Sequence, residues 1–456
     1  MALARKLVQV LSKAKKLGQD DPRRIIHSFK VGFAISLVSL FYYFQPLYDG
    51  FGSYAMWAVL TVIVVFEFSV GATLGKGLNR GLATFLAGGL GFGAHRLANL
   101  SGETVEPILL SVFVFLLAAL VTFVRFFPRM KARYDYGLLI FILTFSLVSV
   151  SGYREEKLLD LAHSRVSTIL IGGFTAVCVC IFVCPVWAGE DLHNLVANNI
   201  EKLANFMEAF GDEYFKVAED GESSRASCLQ GFKSILNSKQ AEESLVNCAR
   251  WEPGHGKFRF RHPWKHYLKI ASLTRQCSYK VEALSNYLSS EIQSPPEIFL
   301  GRIQEACVEM SLESGMALKE LALTLRKMNP PSADCLHITK TNVAAGQLKA
   351  LLKLGSCEDI DLLEVLPAAT VASLLLEVAS CTEKISESVH ELAALARFKP
   401  VEASLEHSAG LCHGQLGKLP ASILWTACGF TFSTFFRVAA GSFFKSDELI
   451  LEQVLE

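Results

Sequence analysis

The chain lacks the residue patterns of an enzyme. Its 456 residues contain no GxSxG, no HExxH, and no Walker A or kinase signature. The corresponding nucleophilic, metallohydrolase and phosphoryl-transfer chemistries therefore have no residues to run on. The twelve cysteines make no CxxC pair and no Cys/His cluster with zinc spacing. Cys178, Cys180 and Cys184 sit in an apolar run, and the others are scattered. That usage fits small apolar side chains kept reduced, as in a cytosol. His255, His262 and His266 fall close together, but their spacing matches no metal site and reads as an ordinary loop. Gly75–Gly77 and Gly91–Gly93 have no preceding strand and no following Lys-Ser/Thr, so they are not phosphate loops. No cofactor, no assigned metal set and no nucleic-acid partner are expected. The formal net charge is zero, so bulk charge identifies no partner. No repeat of solenoid length is present.

Charge is the scarcest commodity. Only 19% of residues carry one, and it is nearly missing from Ile25–Phe44, Phe51–Leu74, Gly81–Ala94, Pro107–Val124, Tyr136–Gly152 and Val166–Gly189. A bilayer core is crossed by about 20 mostly apolar residues. Six such stretches in a row show no polar face, which excludes a soluble helical domain. The first 24 residues precede them as a basic arm, not a secretory signal peptide: the first apolar stretch begins far from the start and has no small-residue cleavage site. After Pro185 and Trp187 the pattern turns to helices with polar faces, near Glu190–Ala218, Ser223–Asn247, Pro263–Ser290, Pro295–Met328, Asn342–Leu354 and Pro367–Phe398. The fold expected is all-α: a basic arm (1–24), six transmembrane helices (25–189), a cytosolic helical domain (190–400), and a tail (401–456) whose apolar stretch 421–444 forms a short interfacial or packed helix.

The positive-inside rule orients the spans. With a cytosolic N-terminus, the inner stretches 1–30, 75–80 and 125–135 hold fourteen Lys and Arg, against three in the outer stretches. Both termini then face the cytosol. The outer stretches carry Asp49, Glu103, Glu106, Glu155, Glu156 and Asp160 instead. Two readings stay open for them: solvated loop charges, or an external site for a hard multivalent cation.

Charges in or beside spans are costly in lipid and usually face water or a partner. Lys30, Glu67, Lys76, Arg80 and Arg165 stand out, with Arg125 and Arg129 at the end of the fourth span. Most are cations. A path lined by fixed cations lowers the cost of an anion in a low-dielectric slab. Snorkelling to the headgroups is the plainer reading for Lys30, Arg125 and Arg129. Glu67 is expected to pair with a nearby cation. Gly71, Gly75, Gly77, Gly81, Gly88, Gly89, Gly91 and Gly93 would let the second and third spans approach closely.

These blocks carry a resemblance. DPRRIIHSFKVG (21–32), WAVLTVIVVFEFSVGATLGKGLNRGLAT (57–84), TFVRFFP (122–128), DYGLLIFILTFSL (135–147), FVCPVWAGEDLH (182–193), WEPGHGKFRFRHPWK (251–265) and TEKISESVHELAALARFK (382–399) resemble the aluminium-activated malate transporters of plants. The resemblance implies a homodimeric anion channel in membrane lipid, with six spans and a cytosolic helical domain per subunit, passing malate and other anions. It implies pore roles for Arg80 and Arg165, with Lys76 in the same block, and a link to aluminium response for Asp49, Glu156 and Asp160. The plasma membrane is favoured over the vacuolar membrane. The rival reading is a proton-coupled organic-anion carrier or efflux protein, using His27, Lys30 and Glu67. The apolar stretch 421–444 has no counterpart in the resemblance.

Overall fold

The computed structural model describes residues 15–43, 55–102, 105–151, 158–215, 231–289, 297–331, 335–354 and 362–399, with positions 9, 12 and 13. The tail and its 421–444 stretch, Asp49 and Glu156 lie outside the described residues. The chain divides into two compact units, the first running to Val186 and the second starting at Trp187.

The first unit holds α1 (Arg23–Tyr43), α2 (Ala55–Val65), α3 (Val70–Asn99), α4 (Glu106–Val124), α5 (Pro128–Ser151) and α6 (Leu158–Phe182). Each apolar stretch overlaps a helix, but the helix boundaries differ from expectation, and two of the differences matter. The second stretch is cut at Phe66–Ser69, where Ser69 caps α3 by accepting from the Ala72 N–H at 3.3 Å. So 75–80 is not a loop. Lys76 and Arg80 ride in the second and third turns of a 30-residue helix. Removing them from the inner count leaves twelve against three; Arg23, Arg24, Lys30, Arg129, Lys131 and Arg133 of the inner set and Arg96 of the outer set are likewise on helices. At the other end, α6 starts at Leu158, so Asp160 belongs to a helical turn and not to an outer loop.

Within this unit α3 packs on α4, α5 and α6, while α6 also packs on α1 and α2. The contacts use small residues. Ala34, Ala58, Ala83, Ala87, Ala94 and Ala98 are buried. A Cβ on Gly172 of α6 would lie 2.5 Å from the Ala58 carbonyl oxygen of α2. That closeness is how helices associate where lipid removes the hydrophobic drive between them. Among the described residues, α4, the Pro128–Val150 part of α5, and Leu366–Ala396 are long and apolar enough to cross a membrane. The last of these is packed into the core of the second unit: Val371, Leu375, Val378, Ile385, Val389 and Leu392 along it are buried there.

The second unit holds α7 (Ala188–Phe215), α8 (Lys233–Leu236), α9 (Lys239–Ala249), α10 (Trp264–Ser289), α11 (Glu297–Lys327), α12 (Leu336–Leu354) and α13 (Leu362–Ala396). The expected helix Ser223–Asn247 is broken at Asn237–Ser238, and α12 begins six residues earlier than the sequence suggests. Along α7, Leu192, Val196, Ile200, Leu203, Met207 and Phe210 recur at helical spacing and are fully buried against α10 and α11. The loop 251–263 is not an ordinary exposed linker. Glu252 is buried, and its carboxylate accepts the Ala188 and Gly189 N–H groups at 2.6 and 3.0 Å, capping α7. Phe258, His262 and Trp264 are buried beside it, and Trp187 stacks on His255 with centroids 3.8 Å apart. Any Cβ at Gly189 would strike the Trp264 ring.

Candidate functional site

The short turn Phe66–Ser69 positions the charges of α3. The Glu67 N–H donates to Thr73 Oγ1 at 3.0 Å, and the Thr73 hydroxyl lies against the Glu67 and Ser69 carbonyls. The Val70 N–H donates to the Val186 carbonyl at 2.9 Å, tying the turn to the segment that follows α6. This holds the Glu67 side chain beside Lys76, nine residues on, and the two form an ion pair. The Lys76 ammonium also sits over the Tyr136 ring of α5, 5.6 Å from its centroid.

One turn further along α3, Arg80 Nη1 donates to the Tyr136 hydroxyl at 3.0 Å. Tyr136 is neutral, so this contact does not cancel the charge. No carboxylate of the described residues pairs with Arg80, and its Nε is buried without a partner. Thr84, the next turn of α3, likewise has a buried hydroxyl without a partner. Both line a cleft among α2, α3, α5 and α6, with Trp57, Leu143, Thr144 and Ile169 in its walls. The cleft holds about 40 Å³. The arrangement is one uncompensated guanidinium and two hydroxyls against apolar walls. At an effective dielectric near 20, a carboxylate about 4 Å from such a charge gains on the order of 4 kcal/mol before desolvation.

The other sequence-selected residues distribute differently. Arg165 lies in α6, four residues or about one turn before Ile169 of the cleft wall. Arg125 is not a free cation: it forms a two-point contact with Asp135 at 2.8 and 3.3 Å. Arg129 is exposed in the first turn of α5, about two turns from Tyr136. Lys30 does not snorkel. It is 1% exposed, and its ammonium donates to the Cys184 carbonyl at 2.9 Å, where the chain leaves α6. Of the outer acids, Glu106 is buried at the start of α4. Asn99, with its amide oriented to satisfy both of its atoms, donates to that carboxylate, and His95 is 3.7 Å away. Among the described residues no three His, Cys, Asp or Glu side chains gather as a metal site.

Tyr136, Thr84 and Trp57 escape sequence reasoning. Tyr136 sits 56 residues from Arg80, and no local period links them.

Residues 15–358 match the family described as Aluminium activated malate transporter. The chain is 54% identical over 409 residues to Aluminum-activated malate transporter 2 of Arabidopsis thaliana, covering 89% of this chain and 81% of that one. It is 46% identical over 407 residues to Aluminum-activated malate transporter 1 of Triticum aestivum, covering 85% and 86%. Over 433 residues it is 42% identical to Aluminum-activated malate transporter 10 of Arabidopsis thaliana, covering 86% and 87%.

Proposed function

The chain belongs to the aluminium-activated malate transporter family, and from that premise we propose that it is a membrane anion channel passing malate, with Arg80 as a fixed positive charge of its path. Its relatives are named as transporters and not as enzymes. The observation that carries the reading is the uncompensated Arg80 guanidinium, buried at Nε and facing a cleft of otherwise apolar walls. A dianion desolvated at this level meets a positive charge and hydroxyl donors in place of bare lipid. Arg165, one turn from the cleft wall, serves the same path from α6. Lys76 contributes less, because Glu67 neutralises it.

The cleft volume of about 40 Å³ admits two or three waters and no dicarboxylate. Conduction on this reading needs the helices around Arg80 to part, or a second copy to complete a wider path. The exposed apolar ridge Leu78, Leu82, Phe85 and Leu86 on α3 suits lipid or such a copy. The six helices of the first unit cross the membrane with both termini cytosolic, in the plasma membrane, as a homodimer. Asp49, Glu156 and Asp160 form the external site through which a trivalent cation stimulates the current.

Two of the three groups a carrier would titrate are engaged, Glu67 with Lys76 and Lys30 with the Cys184 carbonyl, whereas His27 keeps a buried Nδ1 without a partner among the described residues, so recording and not geometry separates channel from carrier. Patch-clamp recording tests both points. The current should reverse at the malate Nernst potential and ignore the proton gradient. Arg80→Ala should lose most of it at unchanged surface expression, and Arg80→Lys should lose less. Full malate current in Arg80→Ala removes the residue from the path.

A further inference from the structure

The block WEPGHGKFRFRHPWK lies outside the path proposed around Arg80, and it builds a second charged feature inside the second unit. His255 and Phe258 exchange both backbone hydrogen bonds, at 2.9 and 2.8 Å, closing a tight turn around Gly256 at φ +51. Phe258 is driven into the ring cluster of His193, His262 and Trp264. Its neighbours Lys257 and Arg259 are therefore held outward on a rigid base. They meet the ends of two long helices. Helix α11 ends with the Asn329 N–H bonded to the Thr324 carbonyl and the Met328 N–H to that of Leu325. Helix α13 ends the same way, with Phe398 to Ala393 and Arg397 to Ala394. Both are Schellman closures, whose left-handed position normally takes glycine or asparagine. Here it takes Met328 at φ +53 and Arg397 at φ +54. Two non-glycine residues in that conformation, side by side at one cleft, are strain kept in place by the surrounding structure.

The cleft they share holds about 370 Å³ and is lined by Lys257, Arg259, Lys327, Arg397 and Lys399, with Phe398 in its wall. Five cations line it and no carboxylate does, and among the described residues none of the five forms an ion pair. Helix capping accounts for a small part of this. Each helix end carries about half a negative charge, and Lys257 answers one of them by donating to the Lys327 carbonyl at 3.3 Å. About four positive charges are left over. Elsewhere in the unit some exposed cations are paired, Lys269 with Glu391, Lys319 with Glu208 and Arg326 with Glu201, and others such as Lys265 and Lys349 are not, among the described residues; what sets the cleft apart is five cations lining one concave surface. A malate dianion would leave about half of the cleft's charge unanswered. Guanidinium forks and ammonium groups on several sides of a concave site suit clustered phosphate groups. The volume lies in the range of small-molecule sites.

We infer that this cleft is a binding site for a multiply phosphorylated anion of the inositol phosphate type, either as a lipid headgroup or as the free compound. The site is separate from Arg80 and gives the second unit a ligand of its own.

The full-length protein in detergent or nanodiscs provides the test. Inositol hexakisphosphate binding is measured by calorimetry, and co-flotation is measured with phosphatidylcholine vesicles with and without phosphatidylinositol bisphosphate. Saturable binding of the soluble compound alone identifies the free phosphate as the ligand. Flotation dependent on the bisphosphate lipid identifies the headgroup. Arg259→Gln and Arg397→Gln should each weaken binding about tenfold, as expected for loss of one charge-assisted contact. Arg397→Gly separates binding from capping. Glycine relieves the left-handed strain, so thermal stability should hold or rise while affinity still falls. Lys269→Gln, which removes a cation paired elsewhere on the same unit, should leave affinity unchanged. Absence of saturable binding to either probe overturns the inference. So does an equal loss in Lys269→Gln, which would reduce the effect to general surface charge, or full affinity in Arg397→Gly.

Discussion

The two units place several of their phenylalanines on opposite sides. In the first, Phe85, Phe115 and Phe174 are 71–72% exposed, while Thr61, Thr73 and Ser149 are buried. In the second, Phe206, Phe210 and Phe232 are fully buried, and ion pairs such as Lys269–Glu391 and Lys319–Glu208 lie at the surface. With the first unit in the membrane, as proposed, the difference follows from the solvent each unit is built for. In water, burying an aromatic side chain is the main favourable term. In lipid that term vanishes, and what gains by being inside is close packing and satisfied polar groups. A cation such as Arg80 is tolerable there only where it has a use or a donor set, whereas Lys269 at a wet surface needs neither.

The sharpest way to break this contrast is to truncate one phenylalanine in each unit. Phe206→Ala should cost about 3–5 kcal/mol of stability. Phe85→Ala should leave thermal unfolding in lipid nanodiscs nearly unchanged. A large loss at Phe85 would mean that α3 buries this face against protein in the assembly.

A second contrast concerns pH. Burial holds His193 at about 4, down from 6.5, and burial, with the imidazoles of His193 and His255 nearby, holds His262 at about 4. Both are neutral in the folded unit. As pH falls from 6.5 toward 4, the unfolded chain binds protons that the folded chain refuses, so stability present above 6.5 is lost through that window. The loss is about 3 kcal/mol per histidine as an upper limit. Melting temperature against pH should fall below 6.5, and the slope should flatten in His262→Asn. An unchanged slope would show that His262 is not excluded from protonation.

The third contrast sits within one helix. Gly172→Ala pushes a methyl onto the Ala58 carbonyl and should destabilise by about 1–3 kcal/mol. Its neighbour Gly173 faces open space, and Gly173→Ala should stabilise by about 0.5–1 kcal/mol through helix propensity. Equal effects would deny the close α2–α6 contact.

The smallest effect is chemical. Cys381 sits where α10 meets α13. The hydrogen bond from Cys277, with Lys384 and Lys280 close by, lowers its thiol, whereas burial pushes Cys307 up to about 12. Iodoacetamide at neutral pH should label Cys381 well before Cys307. Mass spectrometry of the labelled peptides checks the order.

Much of the architecture was readable from local pattern. The apolar stretches, the helical character throughout, the break near Pro185 and Trp187, and the pairing of Glu67 with a nearby cation all follow from spacing within a few turns. The errors were local too. Phe51–Leu74 read as one span because hydropathy is blind to a four-residue turn whose own residues, Phe66 and Phe68, are apolar. The 251–263 block read as a loop because its Gly and Pro mark turns, while nothing in one sequence tells that Glu252 will cap a helix 63 residues away.

What the sequence by itself determined is which of the described segments are helical, that the chain carries helices apolar enough for a membrane, and the family. Periodicity and composition act over the few residues that a single helix turn brings together, and a string displays them directly. The tertiary structure alone decided which cations are free. Lys76 and Arg125 are neutralised, Lys30 is spent on a carbonyl, and Arg80 keeps its charge beside Tyr136. It also decided that Lys257, Lys327 and Arg397 share one cleft. Those outcomes depend on how helices separated by tens of residues seat against one another, and each contact is worth no more than a few kcal/mol.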